Sequence, residues 1–257
     1  MAAHPTSRRS PLPDSHTAVA NANLQVDERS QAHAPDSLQL RHHFATEEQQ
    51  RDAASLGMWA FLATEVMFFG GLFCAYLIYR TWYFGDFAAA SKSIDAAMGA
   101  TNTAVLICSS LTVVLAVWAA QTARRTLLIV MLILTMLLGC VFLGVKGKEY
   151  KDKFEEHHVP GASFSFENVP VPSHPGQYAN PRHAEIFFAL YFIMTGIHAL
   201  HMIIGLGIFA WLLAMAWKGR FTPEYNTPVE IGGLYWHFVD IIWIYLFPLL
   251  YLIDRHR

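Results

Sequence analysis

Formal charge is scarce in this chain. Asp, Glu, Lys and Arg make up only 15% of its 257 residues, against 54% that are hydrophobic. A soluble domain carries about 25% charged residues, so an ordinary soluble fold is disfavoured at the outset. Cysteine is scarcer still: Cys74, Cys108 and Cys140 stand singly, with no CxxC between them. That excludes a zinc knuckle or a disulfide framework and leaves them as small apolar packers. There is no basic patch or nucleic-acid motif, and the formal net charge is −2, so no nucleic-acid partner is indicated. A Ser/His/Asp constellation and a phosphate-binding loop are missing too, and the lack of an internal repeat counts against common transporter designs. The start of the chain lacks the apolar core of a secretory signal. Its acids, Asp14, Asp27, Glu28, Asp36, Glu47 and Glu48, argue against a transit peptide.

What is abundant is apolar sequence, gathered into five blocks at about 56–79, 97–120, 126–145, 186–217 and 231–253. Each is near or above the roughly 20 residues that span a bilayer core. None alternates apolar with polar residues as a barrel strand does, and in lipid a helix satisfies its own backbone. The pattern predicts an all-α membrane protein, with a bundle of five transmembrane helices within 51–257. Residues 1–50, rich in Ser, Ala, Pro, His, Gln and charge, read as a flexible, disordered polar tail. A short helix over Ala45–Ala54 is expected to lead into the first span.

The brief Gln121–Arg125 link forces an antiparallel hairpin of the second and third spans. The longest loop is expected over Lys146–Arg182. It opens on KGKEYKDKFEEHH and continues through Pro160, Pro170, Pro172, Pro175 and Pro181. Asn226-Thr227-Pro228 marks a turn before the last span. Six cations flank the spans on the N-terminal side (Arg41, Arg51, Arg124, Arg125, Lys218, Arg220). Nine lie opposite (Arg80, Lys92, Lys146, Lys148, Lys151, Lys153, Arg182, Arg255, Arg257). The positive-inside rule alone would put the N-terminus outside, but the margin is small and the count is inconclusive.

A few polar residues interrupt the apolar blocks. Glu65 lies about 14 Å into the first span at helical rise, where an ionised carboxylate costs about 2.5–3.5 kcal/mol. It must be protonated, or face protein or water. The functional reading is a proton or ligand path, and the plain one is an interhelix hydrogen bond. His198 and His201 in TGIHALHMIIG are three apart and share a helix face; they serve either as packing and lipid or water contacts, or as ligands of a haem or metal. His237 and Asp240 in YWHFVDIIW are also three apart. They either neutralise each other or meet a proton or a partner chain. Tyr235, Trp236 and Trp243 around them read as headgroup-depth aromatics. Gly70, Gly71, Gly196, Gly205 and Gly207 allow close helix approach, and Pro248 can kink the final helix. His42, His43, His157 and His158 fall in polar segments and read as solvated.

Three of these segments resemble one family. LGMWAFLATEVMFFGGLFCAY resembles the helix of haem-copper oxidase subunit III that carries its buried glutamate. TGIHALHMIIG resembles the family's Thr-Gly-x-His-x-x-His helix, and GLYWHFVDIIWIYLF its terminal Tyr-Trp-His-Phe-Val-Asp helix. TNTAVLICSS and GKEY are similar to shorter family segments, and all occur in family order. The resemblance implies a five-helix bacterial form of cytochrome c oxidase or quinol oxidase subunit III. Such a chain is a non-redox accessory subunit of a proton-pumping terminal oxidase, supporting oxygen delivery, proton uptake and stable turnover. It implies no catalytic centre, metal or cofactor in this chain. Haems and copper are expected in partner subunits, with catalytic subunit I and subunit II as partners, membrane phospholipid bound, and a larger respiratory supercomplex as a further setting. It places Glu65 near the oxygen or proton route and gives His198, His201, Tyr235, Trp236, His237 and Asp240 structural or lipid-contact roles. It also implies a multi-pass protein of the bacterial inner membrane, N-terminus cytoplasmic and C-terminus periplasmic. A subunit of a nitric oxide reductase, a haem-binding membrane cytochrome and a small transporter using Glu65 are the alternatives.

Overall fold

The computed structural model describes residues 46–161, 163–166, 169–172, 176–223 and 225–253. The tail expected over 1–50 therefore lies outside the described residues up to position 45, as do His42, His43, Pro175, Arg255 and Arg257. Six helices follow in order: α1 Glu47–Trp82, α2 Phe84–Lys92, α3 Ala96–Gln121, α4 Arg125–Glu155, α5 Pro181–Trp217 and α6 Thr227–Tyr251. All but α2 are long and apolar enough to cross a membrane.

The helix ends follow from local chemistry. The Thr46 hydroxyl accepts from the Gln49 N–H at 3.1 Å where α1 starts, and the Asp95 carboxylate accepts from Ala97 and Met98 at the start of α3. Pro181 and Pro228 occupy first-turn positions of α5 and α6, where a missing N–H costs nothing. The α3–α4 hairpin turns through Ala123, at φ 55°. Arg125 then donates to the carbonyls of Ala216 and Trp217 at the end of α5.

Two expectations change. The helix expected over Ala45–Ala54 is not separate, because α1 runs unbroken from Glu47. The stretch KGKEYKDKFE is not loop but the last turns of α4, and the loop begins only after it. The reason lies in the buried face of α4: Leu128, Leu132, Thr135, Gly139, Phe142, Lys146, Glu149 and Lys153. These recur every three or four residues, the period of one helix face. The face keeps its period while its chemistry changes from apolar to charged.

Packing is close where small residues meet rings. A Cβ on Gly139 would come 2.9 Å from the Trp236 ring, one on Gly205 3.1 Å from it, and one on Gly99 2.8 Å from Phe247. Gly70, Gly71 and Gly207 have open space instead, so of the expected close approaches only Gly205 is tight. Gly139→Ala is expected to destabilise the bundle by about 1–3 kcal/mol through overpacking. Gly144→Ala, with nothing within 4 Å, should leave stability unchanged or slightly higher. Thermal melts of the two variants in the same detergent check this, and equal losses would contradict it. The three cysteines are exposed on the helices rather than packed in the core.

Candidate functional site

Met58, Leu62, Phe69 and Tyr76 form the buried stripe of α1. Glu65 lies on the same stripe, three residues after Leu62 and four before Phe69. Its Oε2 sits 3.2 Å from His201 Nε2 on α5, and the two side chains are 20% and 13% exposed. The acid thus has its partner inside its own chain. His201 Nδ1 lies 2.9 Å from the Ile197 carbonyl, which only accepts, so Nδ1 carries a hydrogen. A further proton must then lie between Nε2 and the carboxyl group, on one side or the other. The couple therefore holds one shared proton near the middle of two membrane helices. Phe69 packs its ring edgewise on His201 at 5.4 Å, and Tyr235 donates to the His201 carbonyl at 3.0 Å.

His198 does not join this couple. It is buried between Phe142 and Trp243, with ring centroids 5.5 and 5.2 Å away. Neither of its ring nitrogens has a hydrogen-bond partner among the described residues. A haem or metal held by both histidines is disfavoured, since one ring is walled in by aromatics and the other is engaged at both nitrogens. Among the described residues no group of three His, Cys, Asp or Glu is placed to hold a metal ion.

The pairing of His237 with Asp240 is not made either. His237 Nδ1 bonds Ser110 Oγ on α3 at 2.8 Å. Asp240 is 3% exposed and sealed in the bundle beside the Ser110 hydroxyl, and its carboxyl oxygens make no hydrogen bond of good geometry among the described residues. Trp236 and Trp243 are core residues rather than headgroup-depth aromatics: both are fully buried, donating to Ser109 and Thr103 at 3.1 Å. The exposed tryptophans are Trp59, Trp82, Trp118, Trp211 and Trp217.

A family model described as cytochrome c oxidase subunit III matches residues 182–254. That stretch carries every one of these α5 and α6 side chains. Over 199 residues the chain is 32% identical to the probable cytochrome c oxidase subunit 3 of Nocardia farcinica (strain IFM 10152), an overlap of 77% of this chain and 87% of that protein. The chain belongs to the cytochrome c oxidase subunit III family. It is also 30% identical over 202 residues to the cytochrome c oxidase subunit 3 of Corynebacterium diphtheriae, covering 78% of this chain and 88% of that one. The probable quinol oxidase subunit 3 of Staphylococcus haemolyticus gives 30% over 202 residues, 77% and 88%. None of these three names favours a nitric oxide reductase partner. With its five long apolar helices, this subunit III family member is a multi-pass membrane protein.

Sequence reasoning missed the most polar part of this subunit III fold. Lys146 and Glu149 are 2% and 3% exposed and bond at 3.1 Å. The ammonium also donates to Tyr191 at 2.9 Å and Tyr251 at 2.5 Å. Both tyrosine hydroxyls donate in turn to Glu149 Oε1, at 2.8 and 2.7 Å. Three ammonium hydrogens find three acceptors, so the cation is fully satisfied. At helical rise Lys146 lies about 32 Å along α4, the far edge of a hydrocarbon core. About two turns further on, Lys153 reaches the Ser93 carbonyl at 2.7 Å and Glu156 at 2.5 Å.

Near the same end, Asp86 of α2 holds His183 at 2.6 Å and the Asn180 N–H at 2.9 Å, with the Tyr83 ring stacked on His183 at 3.7 Å. His157 is exposed, whereas His158, expected in solvent, stacks on Phe188 at 4.9 Å. Burial and nearby Lys153 hold its imidazole below the usual value, against the pull of Glu156.

Proposed function

We propose that this chain is the non-redox accessory subunit of a proton-pumping haem-copper terminal oxidase in the bacterial inner membrane. Its partners are the catalytic subunit I and subunit II, which hold the haems and copper, together with bound membrane phospholipid. A larger respiratory assembly is a further setting for the complex. The electron donor is cytochrome c or a quinol; relatives of both names match the chain, at 32% and 30% identity.

The observation that carries the reading is the Glu65–His201 couple at mid-membrane in a chain of this family. A carboxyl and an imidazole sharing one proton form a net-neutral group that tolerates a low dielectric. Such a group offers a hydrogen-bonded polar point on a proton path through apolar surroundings. The apolar, ring-lined surroundings of Phe69 and Tyr235 suit a small apolar gas. Glu65 and His201 are assigned to the oxygen or proton route. His198, Tyr235, Trp236, His237 and Asp240 are assigned to support of the helices that carry it.

A cytoplasmic N-terminus is taken from the family resemblance; the cation count opposes it by only one once the buried lysines, Lys146 and Lys153, are set aside. Lys146, Lys151 and Lys153 are each paired with an acid on their own helix or just past its end. Arg124, Arg125, Lys218 and Arg220 sit exposed on the short links at the opposite end. Two of the nine cations counted on the far side are buried in protein, where they cannot act as loop charges.

The test is gentle solubilisation of the tagged chain. A haem- and copper-bearing polypeptide that consumes oxygen should come with it, and isolation of the chain alone would remove the proposal. Glu65→Gln in that complex should leave assembly intact, because the new amide can donate to His201 Nε2. With the shared proton lost, turnover should fall at limiting oxygen or alkaline pH. Unchanged oxygen and pH profiles would reduce the couple to packing.

A further inference from the structure

His237 stands two residues before the midpoint of α6, and Ser110 lies at the middle of α3. Their hydrogen bond uses His237 Nδ1. The other nitrogen, Nε2, bonds to no group among the described residues, and it is not among the polar atoms sealed inside the bundle. An imidazole therefore presents an unsatisfied nitrogen on an outer surface at mid-membrane depth. Hydrocarbon offers nothing to bond it, and polar side chains at that depth face protein or water.

The surface around it is shaped for a helix. On α3, Ile107 and Val114 lie one turn to either side of Ser110 and are 55% and 51% exposed; on α6, Ile241 and Ile244 follow His237 on the same face and are 50% and 45% exposed. Together they make an apolar strip between two helices with one polar point at its centre. α1 lies on another side of α6, where Phe69 meets Phe238 and Tyr76 bonds the Leu249 carbonyl, so it does not cover this strip.

We infer that the outer face of α3 and α6, centred on the Ser110–His237 couple, is where a transmembrane helix of another oxidase subunit packs. That helix presents a hydroxyl, amide or carboxyl group to His237 Nε2. The inference rests on the proposed oxidase membership. Lipid is the rejected occupant: its chains would fit the strip but would leave the nitrogen unsatisfied. The occupant's polar group acts as an interhelical hydrogen bond of the kind that fixes register between membrane helices.

The test uses the intact complex, with a photo-crosslinking benzoylphenylalanine placed at Ile241 and, separately, at Ile107. Both should join the same helix of one companion subunit, identified by mass spectrometry of the purified complex. His237→Phe should weaken retention of that companion in a detergent titration by about fivefold, the loss of one hydrogen bond, and His237→Gln should restore it. Adducts to lipid alone at both positions, or equal retention in the Phe and Gln variants, would overturn the inference. Failure of the oxidase reading looks different, because no haem-bearing companion would purify with any variant.

Discussion

Lys146→Met is expected to lower stability by about 3–5 kcal/mol, the usual cost of removing one partner of a buried ion pair. The loss is large because the ammonium holds three groups at once. Without it the Glu149 carboxylate stays buried, and the hydroxyls of Tyr191 and Tyr251 lose an acceptor bond each. Glu149→Leu alone should cost a similar amount, since it strands the ammonium against four aromatic rings and two hydroxyls. The double variant, Lys146→Met with Glu149→Leu, removes both charges and should recover most of the loss, as well-packed apolar replacements of buried pairs commonly do. Melting temperatures of the three variants decide the matter. A double variant no more stable than either single one would show that the network acts through something other than charge compensation.

The second large effect is expected at Trp236. Its ring is fully buried, lies against Phe209 at 4.8 Å and fits over Gly139 and Gly205. Trp236→Ala should cost about 3–5 kcal/mol as a cavity opens between α4, α5 and α6. Trp236→Phe keeps most of the ring volume and loses the 3.1 Å bond to Ser109, so it should cost about 1–2 kcal/mol. If Trp236 instead served a partner or lipid headgroup, the Ala variant would melt normally and lose only association. Melting and co-purification measured together separate the two outcomes.

The spans were legible because block length in apolar residues is dictated by bilayer thickness, and α3, α5 and α6 bear the blocks plainly. The end of α4 was not, because charge was read as loop. A lysine-rich run after an apolar block normally marks the membrane surface, and here the sequence does reach that surface. Yet Lys146, Glu149 and Lys153 continue the spacing of Leu132, Thr135, Gly139 and Phe142. Carrying that period forward across the change of chemistry would have exposed the buried network.

The site shows the same limit at finer scale. Glu65 stood out because a carboxylate in an apolar run is costly wherever it points. Its partner did not, because His201 was grouped with His198. Residues three apart on a helix share a broad face but differ by about 60°. That angle turns His198 toward Phe142 and Trp243 while His201 meets α1. The same angle separates Asp240, turned inward, from His237 at the surface. Spacing places side chains on a face; only the neighbouring helices decide which of two adjacent groups finds which partner.

On the proposed reading, this chain works in an oxidase without a redox centre of its own. The most direct measurement is an optical spectrum of the chain after it has been stripped from its purified complex, beside that of the remaining complex. The separated chain should show no Soret band, and the remainder should keep its haem spectrum and its capacity to reduce oxygen. A Soret band travelling with the chain, or its loss from the remainder, would contradict the claim.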